Sequence, residues 1–273
     1  MITEPKRIMC LGDTHGNTNW TAWAIEYAAE NGCDAIIQVG DFGLGWDQGQ
    51  FFRAVNEALV EHDITLYWVD GNHENHDALS KRVVAHAGSS DPADRVPWSY
   101  DETPRIIHLP RGHRWEWWGV AWMALGGAAS VDRLNRTPGL SWWPGETLAT
   151  EDIEYASRPG DVDVVIAHDA PYGVDIPKIG IGTPNTDSGF PHMCLVESGE
   201  HRRAVRAVVD AVRPRLYIHG HYHLRYQAFY ELPGGERTLV QGLDCDGQPL
   251  HYSTLFLNKP GAPNEEDIRS VSP

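Results

Sequence analysis

The chain has 273 residues, of which 41% are apolar and 22% charged, and its 38 acidic against 22 Lys and Arg residues give a formal charge of −16. Such a composition is ordinary for a globular protein and excludes a disordered or fibrous one. The acidic balance opposes any partner held mainly through phosphate-backbone electrostatics, so no duplex nucleic acid is expected.

No stretch approaches the roughly 18 uninterrupted apolar residues of a membrane helix, so no membrane is expected. The N-terminal Met1-Ile2-Thr3-Glu4-Pro5-Lys6-Arg7 shows no apolar leader segment. Cys10, Cys33, Cys194 and Cys245 form no CxxC pair and read as buried thiols of a reducing compartment, by default the cytoplasm.

In chain order, Arg7–Leu11 is a short apolar run ending in Gly12-Asp13-Thr14-His15-Gly16, and 18–30 has helical content closed by Asn31-Gly32. A second strand over 35–39 ends in Gly40-Asp41, and a helix follows over 48–62. The third strand, 64–69, ends in Asp70-Gly71-Asn72-His73-Glu74. Short apolar strands alternating with helices predict a mostly parallel sheet, whose strand ends are the usual place for a site.

Residues 88–104 read as a polar loop, followed by strands at 105–109, 114–118 and 120–125 that suggest a meander edge or a second sheet. A Gly/Trp-rich excursion over 126–146 leads to a helix near 147–157 and a strand over 162–167 ending in His168. A long Gly/Pro-rich loop, 173–192, precedes a helix over 197–213 and a strand at 215–218 ending in His219-Gly220-His221-Tyr222-His223. A hairpin over 226–242 and a strand over 251–257 complete a single domain, 1–258, with a polar tail over 259–273 expected to be disordered.

Five strand ends thus carry metal-type ligands: Asp13 and His15, Asp41, Asn72 and His73, His168, and His221 with His223. Taken singly, each has a structural explanation, as a turn or helix cap, a surface histidine or a hydrogen-bonded one. The His-Tyr-His spacing would place two imidazoles on one face of a strand. Parallel strands, however, align their C-terminal ends along one edge, where all five clusters would converge. Imidazole and carboxylate donors suit Mn, Fe, Zn, Co or Ni. The donors are too many for one ion and sufficient for two sharing a carboxylate, an arrangement that clamps a phosphoryl group.

The ordered motifs Gly12-Asp13-Thr14-His15-Gly16, Gly40-Asp41, Gly71-Asn72-His73-Glu74, Ala167-His168 and Gly220-His221-Tyr222-His223 make the sequence resemble the calcineurin-like metallophosphoesterase superfamily. The resemblance implies an α/β fold with a two-layered β-sandwich core flanked by helices and the site at the C-terminal strand ends. It implies two divalent transition-metal ions, manganese first among them, with Asp13, His15 and His223 on one, Asn72, His168 and His221 on the other, and Asp41 bridging. It also implies that the ions activate water for attack on phosphorus, and that His73, not itself a ligand, faces the substrate and protonates the leaving oxygen. Asp47 stands where the family often carries an acid supporting that histidine, although GDFGLGWD departs from the protein-phosphatase form of the motif.

The stretch from Gly126 through Arg133 and Arg136 to Trp143 is similar to one in a bacterial and phage branch, and either arginine is a candidate to grip phosphate oxygens. A surface ion pair with Asp132 or Glu146 is the alternative for both. Two divalent ions would outweigh the charge of Asp13 and Asp41, giving a cationic pocket inside an acidic protein. The expected partner is therefore a small phosphate ester, with nucleotides included. Of the 11 tryptophans, those at 115, 117, 118 and 122 and the pair at 142–143 read chiefly as core or sheet-covering residues, with base stacking as the alternative. Competing functions are a protein Ser/Thr phosphatase and, from another class, a catalytically retired scaffold of the same fold.

Overall fold

Along the first strand, β1 (Arg7–Leu11), Ile8 and Cys10 enter one apolar layer while Met9 and Leu11 enter another. Burial on both faces is why the run is continuously apolar instead of alternating. The computed structural model describes residues 2–45, 49–183 and 189–259. Asp47 and the tail from residue 260 onward lie outside the described residues.

Two six-stranded mixed sheets are built on the same plan. In the first, β1, β2 (Ala35–Gln38), β3 (Thr65–Trp68) and β5 (Thr103–His108) run parallel, while β12 (Thr254–Asn258) and β4 (Trp98–Tyr100) pair antiparallel at its edges. In the second, β7 (Val120–Leu125), β8 (Val164–Ala167), β9 (Leu216–His219) and β11 (Arg237–Gly242) are parallel. Its antiparallel edges are β6 (Arg114–Trp117) and β10 (Tyr226–Glu231). Ile8, Ile37, Tyr67 and Val69 pack face to face with Trp117, Trp122, Ile166 and Ile218 between the sheets. Helices cover the outer faces. Ala24, Ile25 and Ala28 of α1 (Thr18–Glu30) and Phe51, Phe52 and Val55 of α2 (Gln50–Glu61) meet Met9, Ile36 and Trp68. Val205, Val208 and Val209 of α5 (His192–Val212) meet Val165 and Tyr217.

Several expected boundaries move. The helix α3 (His76–Ala87) was not foreseen; the Asn75 side chain accepts from Ala78 N and caps it, and it ends at Gly88 in the left-handed region. The polar loop 88–104 contains the three-residue edge strand β4 and the first two residues of β5. The helix expected near 147–157 is α4 (Thr150–Ala156), and α5 begins at His192 instead of 197, directly after Pro191. The strand expected from 251 begins at Thr254, after the helical turn α6 (Leu250–Ser253). Trp117, Trp118 and Trp122 are buried, as the core reading of the tryptophans expects. Among the described residues no helix is long and apolar enough to cross a membrane.

Candidate metal centre

The convergence expected along one sheet edge is corrected: the clusters come from both sheets. Asp13, Asp41 and Asn72 follow β1, β2 and β3, whereas His168 follows β8 and His221 and His223 follow β9. They meet because the C-terminal ends of both parallel sets lie at the same end of the sandwich, where the His168 ring reaches across to Val39 O (Nδ1 to O, 2.9 Å). The strand β9 stops at His219, so His221 and His223 sit in a turn and not on a strand face.

That turn is backbone under load. Among the described residues eight non-glycines have left-handed φ, and His15 (+44°), Asp41 (+53°), His221 (+70°) and His223 (+51°) are four of them. Such conformations cost about 1–3 kcal/mol each and persist where surrounding structure over-determines them. Close approach also demands small residues. A Cβ on Gly220 would collide with the Asp13 carboxylate, and one on Gly71 with that of Asp41.

Two groups of donors result. Asp13, His15 and His223 form one, with His223 Nε2 at 3.2 Å from Asp13 Oδ2. Asp41 and His168 form the other together with Asp13; His168 Nε2 lies 3.3 Å from Asp41 Oδ2 and 3.1 Å from Asn72 Oδ1. Asp41 stands between the groups, its Oδ2 also 3.6 Å from His15 Nε2. His221 stacks edge-on against His168 at 5.0 Å, and its backbone N–H donates to the Asp13 carboxylate. His73 Nε2 is 4.0 Å from Asp41 Oδ2, close enough for His73, His15 and Asp41 to form a third possible group.

The electrostatics of this set favour added positive charge. Burial opposes the charged forms of His15, His168 and His223; Asp41 and Asp13 outweigh it at the first two, raising them to about 9 and 10, and Asp13 with Cys245 outweighs it at His223, raising it to about 11. Burial resists ionisation of Asp41, but the His168 and His73 rings hold it well below the ordinary carboxylate range. Protons are thus drawn where a cation of higher charge would fit, and the donor set is that of first-row transition metals.

A profile of the calcineurin-like phosphoesterase family matches residues 6–225. The chain belongs to that family. Solved structures agree on the fold. A protein of Thermus thermophilus, TT1561, is 15% identical with a TM-score of 0.53, over 98% of this chain and 96% of that one. A dimetal phosphatase from Danio rerio is 12% identical with a TM-score of 0.53, over 93% of each chain. No curated protein matches the sequence.

Around this family's strand-end donors the structure adds bracing residues that sequence reasoning missed. Asp246, four residues beyond β11, contacts His15 Nδ1 at 2.7 Å and accepts from Asn17 Nδ2 at 2.7 Å, turning His15 Nε2 toward Asp41. Its signal was legible: β11, which forms the expected hairpin with β10, also pairs parallel to β9 and is followed by Leu243-Asp244-Cys245-Asp246. Glu74 is buried and accepts from Gly43 N (3.0 Å) and Gly71 N (2.5 Å), tying the loops that carry Asp41 and Asn72. Asp169 accepts from Tyr222 OH (2.6 Å) and contacts His201 Nδ1 (2.7 Å), which anchors the residue between His221 and His223. Arg111 donates twice to Asp70 Oδ2, which explains why this strand-end acid takes no place among the donors.

The two candidate substrate arginines separate. Arg133 donates through Nε and Nη2 to both oxygens of Glu197 on α5, and not to Asp132 or Glu146. Arg136 pairs with Asp132 at 2.9 Å and points into the centre, where Nη2 donates to His73 Nε2 at 2.7 Å. Burial lowers the His73 pKa; Asp41 opposes this and the Arg136 guanidinium adds to it.

Proposed function

We propose that the chain is a binuclear metal-dependent phosphoesterase that hydrolyses small phosphate esters. The observation that carries this is the pairing of two donor groups about one carboxylate: Asp13, His15 and His223 on one side, His168 and Asn72 on the other, with Asp41 between. Asp13, His15 and His223 would hold one divalent ion, Asn72, His168 and His221 the second, and Asp41 both. The bound ions, manganese first and iron, zinc, cobalt or nickel as alternatives, would supply a water-derived nucleophile and neutralise phosphate oxygens.

The chain's own residues then bind and protonate. Arg136 lies within hydrogen-bond reach of His73 Nε2, so a phosphate seated on the Asp41 side meets both. An arginine is always a donor, so in this arrangement His73 Nε2 accepts and its proton sits on Nδ1. When a phosphate oxygen takes over the guanidinium, Nε2 is released to take up a proton from solvent and pass it to the departing alkoxide. Arg133, committed to Glu197, plays the lesser part in substrate binding. Buried Cys10, Cys33 and Cys194 support a reducing, cytoplasmic setting.

The test is turnover of p-nitrophenyl phosphate, bis-p-nitrophenyl phosphate and cyclic nucleotides after chelation and reloading with each metal. Metal-dependent hydrolysis of any of them supports the reading and ranks monoester against diester. A fully loaded protein that turns over none would favour the scaffold.

A further inference from the structure

Asn72 can serve as a ligand only through its oxygen, and the two ends of its amide differ by one flip of the side chain. Three buried groups decide which end faces the centre. Asn72 Nδ2 donates to Ser130 Oγ at 3.0 Å, Ser130 Oγ donates to Glu146 Oε2 at 2.6 Å, and Ser130 N donates to Glu146 Oε1 at 2.7 Å. All three residues are at most 3% exposed. A carboxylate accepts only, so the Ser130 hydrogen is committed to Glu146 and the hydroxyl is left with acceptor capacity toward Asn72. The amide must then present N–H to Ser130 and Oδ1 to His168 Nε2, 3.1 Å away. Glu146 is itself fixed: its carbonyl accepts from Ala128 N (3.1 Å) and Arg111 Nη2 (3.1 Å).

We infer that Ser130 and Glu146 are positioning residues that set the direction of a hydrogen-bond chain and so hold Asn72 Oδ1 toward the second ion. Among the described residues, no hydrogen bond or ion pair joins either side chain to the other donors of the centre. Their effect passes through one amide, and it concerns one ion of the two. The inference rests on the proposed ligand role of Asn72.

Glu146→Gln is the discriminating variant because it keeps size and shape while permitting the chain to run backwards. A glutamine Nε2 can donate to Ser130 Oγ, freeing the hydroxyl to donate to Asn72 Oδ1 and turning the amide nitrogen toward the centre. The measurement is metal content and affinity by elemental analysis and titration calorimetry with Mn²⁺, alongside thermal melting. Groups that orient ligands typically contribute 10–100-fold in affinity. We expect Glu146→Gln and Ser130→Ala to weaken one of two sites by about that factor, leaving the other unchanged, and Ser130→Thr to restore it. Two sites of wild-type affinity in folded Glu146→Gln would overturn the inference while leaving the proposed function standing. A wild-type protein that binds fewer than two ions would instead count against the function itself.

Discussion

The strand ends and the long loop over 126–147 reach the same centre by different physics. Asp13, Asp41, Asn72, His168 and His221 each lie within a few residues of the last paired position of a parallel strand, so the sheet register places them. Ser130, Arg136 and Glu146 belong to a segment with almost no regular structure, placed by contacts remote in sequence: Arg136 with His73, Ser130 with Asn72, Arg133 with Glu197. The proposed donors directly follow rigid strands, while the residues proposed to orient them and to meet the substrate arrive on a long loop, the segment most open to change.

Asp41→Asn breaks the strand-end side most severely. In the proposed centre both ions share that carboxylate, so we expect loss of bound metal at both sites and a fall in turnover greater than about 100-fold, the ceiling for residues that only support ligands. His223→Ala should empty mainly one site. Elemental analysis separates the two, and full occupancy in Asp41→Asn would remove the shared role.

His73→Ala sharpens the boundary between metal binding and proton transfer. It should keep both ions yet lose roughly 10²–10⁴-fold in kcat on alkyl or ribose esters, and much less on nitrophenyl esters, whose leaving group departs unaided. Equal losses on both would mean that His73 steadies the transferring group instead. On the loop side, Arg136→Ala should lower kcat/KM by about tenfold or more, equivalent to ~1.4 kcal/mol. Arg133→Ala should cost less, since its guanidinium is spent on Glu197. Steady-state kinetics of both variants on one substrate gives the ranking.

A separate effect concerns stability. Burial pushes His76 and His113 down to about 4, below the roughly 6.5 of an unfolded chain. The unfolded state therefore binds more protons between those values. Their contribution is complete above pH 6.5 and is lost as pH falls toward 4, at no more than ~1.4 kcal/mol per pH unit for each group. Melting curves of His76→Gln should show a shallower decline over this window, and an unchanged slope would mean His76 contributes nothing.

The sequence was most legible where chemistry and periodicity coincide. The helix over 18–30 matches α1 to the residue because Asn17 caps it and Asn31-Gly32 ends it. The strand-end donors were readable because their residue types recur just beyond β1, β2, β3, β8 and β9. α3 was not, since only His76 and Leu79 of its 12 residues are buried and no apolar stripe marks it. The start of α5 was hidden by exposed Met193 and Val196 after a Gly/Pro-rich stretch. Ser130 and Glu146 carry no local signature: their role exists only once residues 58 and 16 positions apart are brought together.

Anomalous diffraction from crystals of the wild-type protein loaded with manganese tests the paired centre most directly. Two peaks are expected, one among Asp13, His15 and His223 and one among Asn72, His168 and His221, roughly 3.5–4 Å apart with the Asp41 carboxylate between them. A single peak at full loading, or two that do not share Asp41, would contradict it.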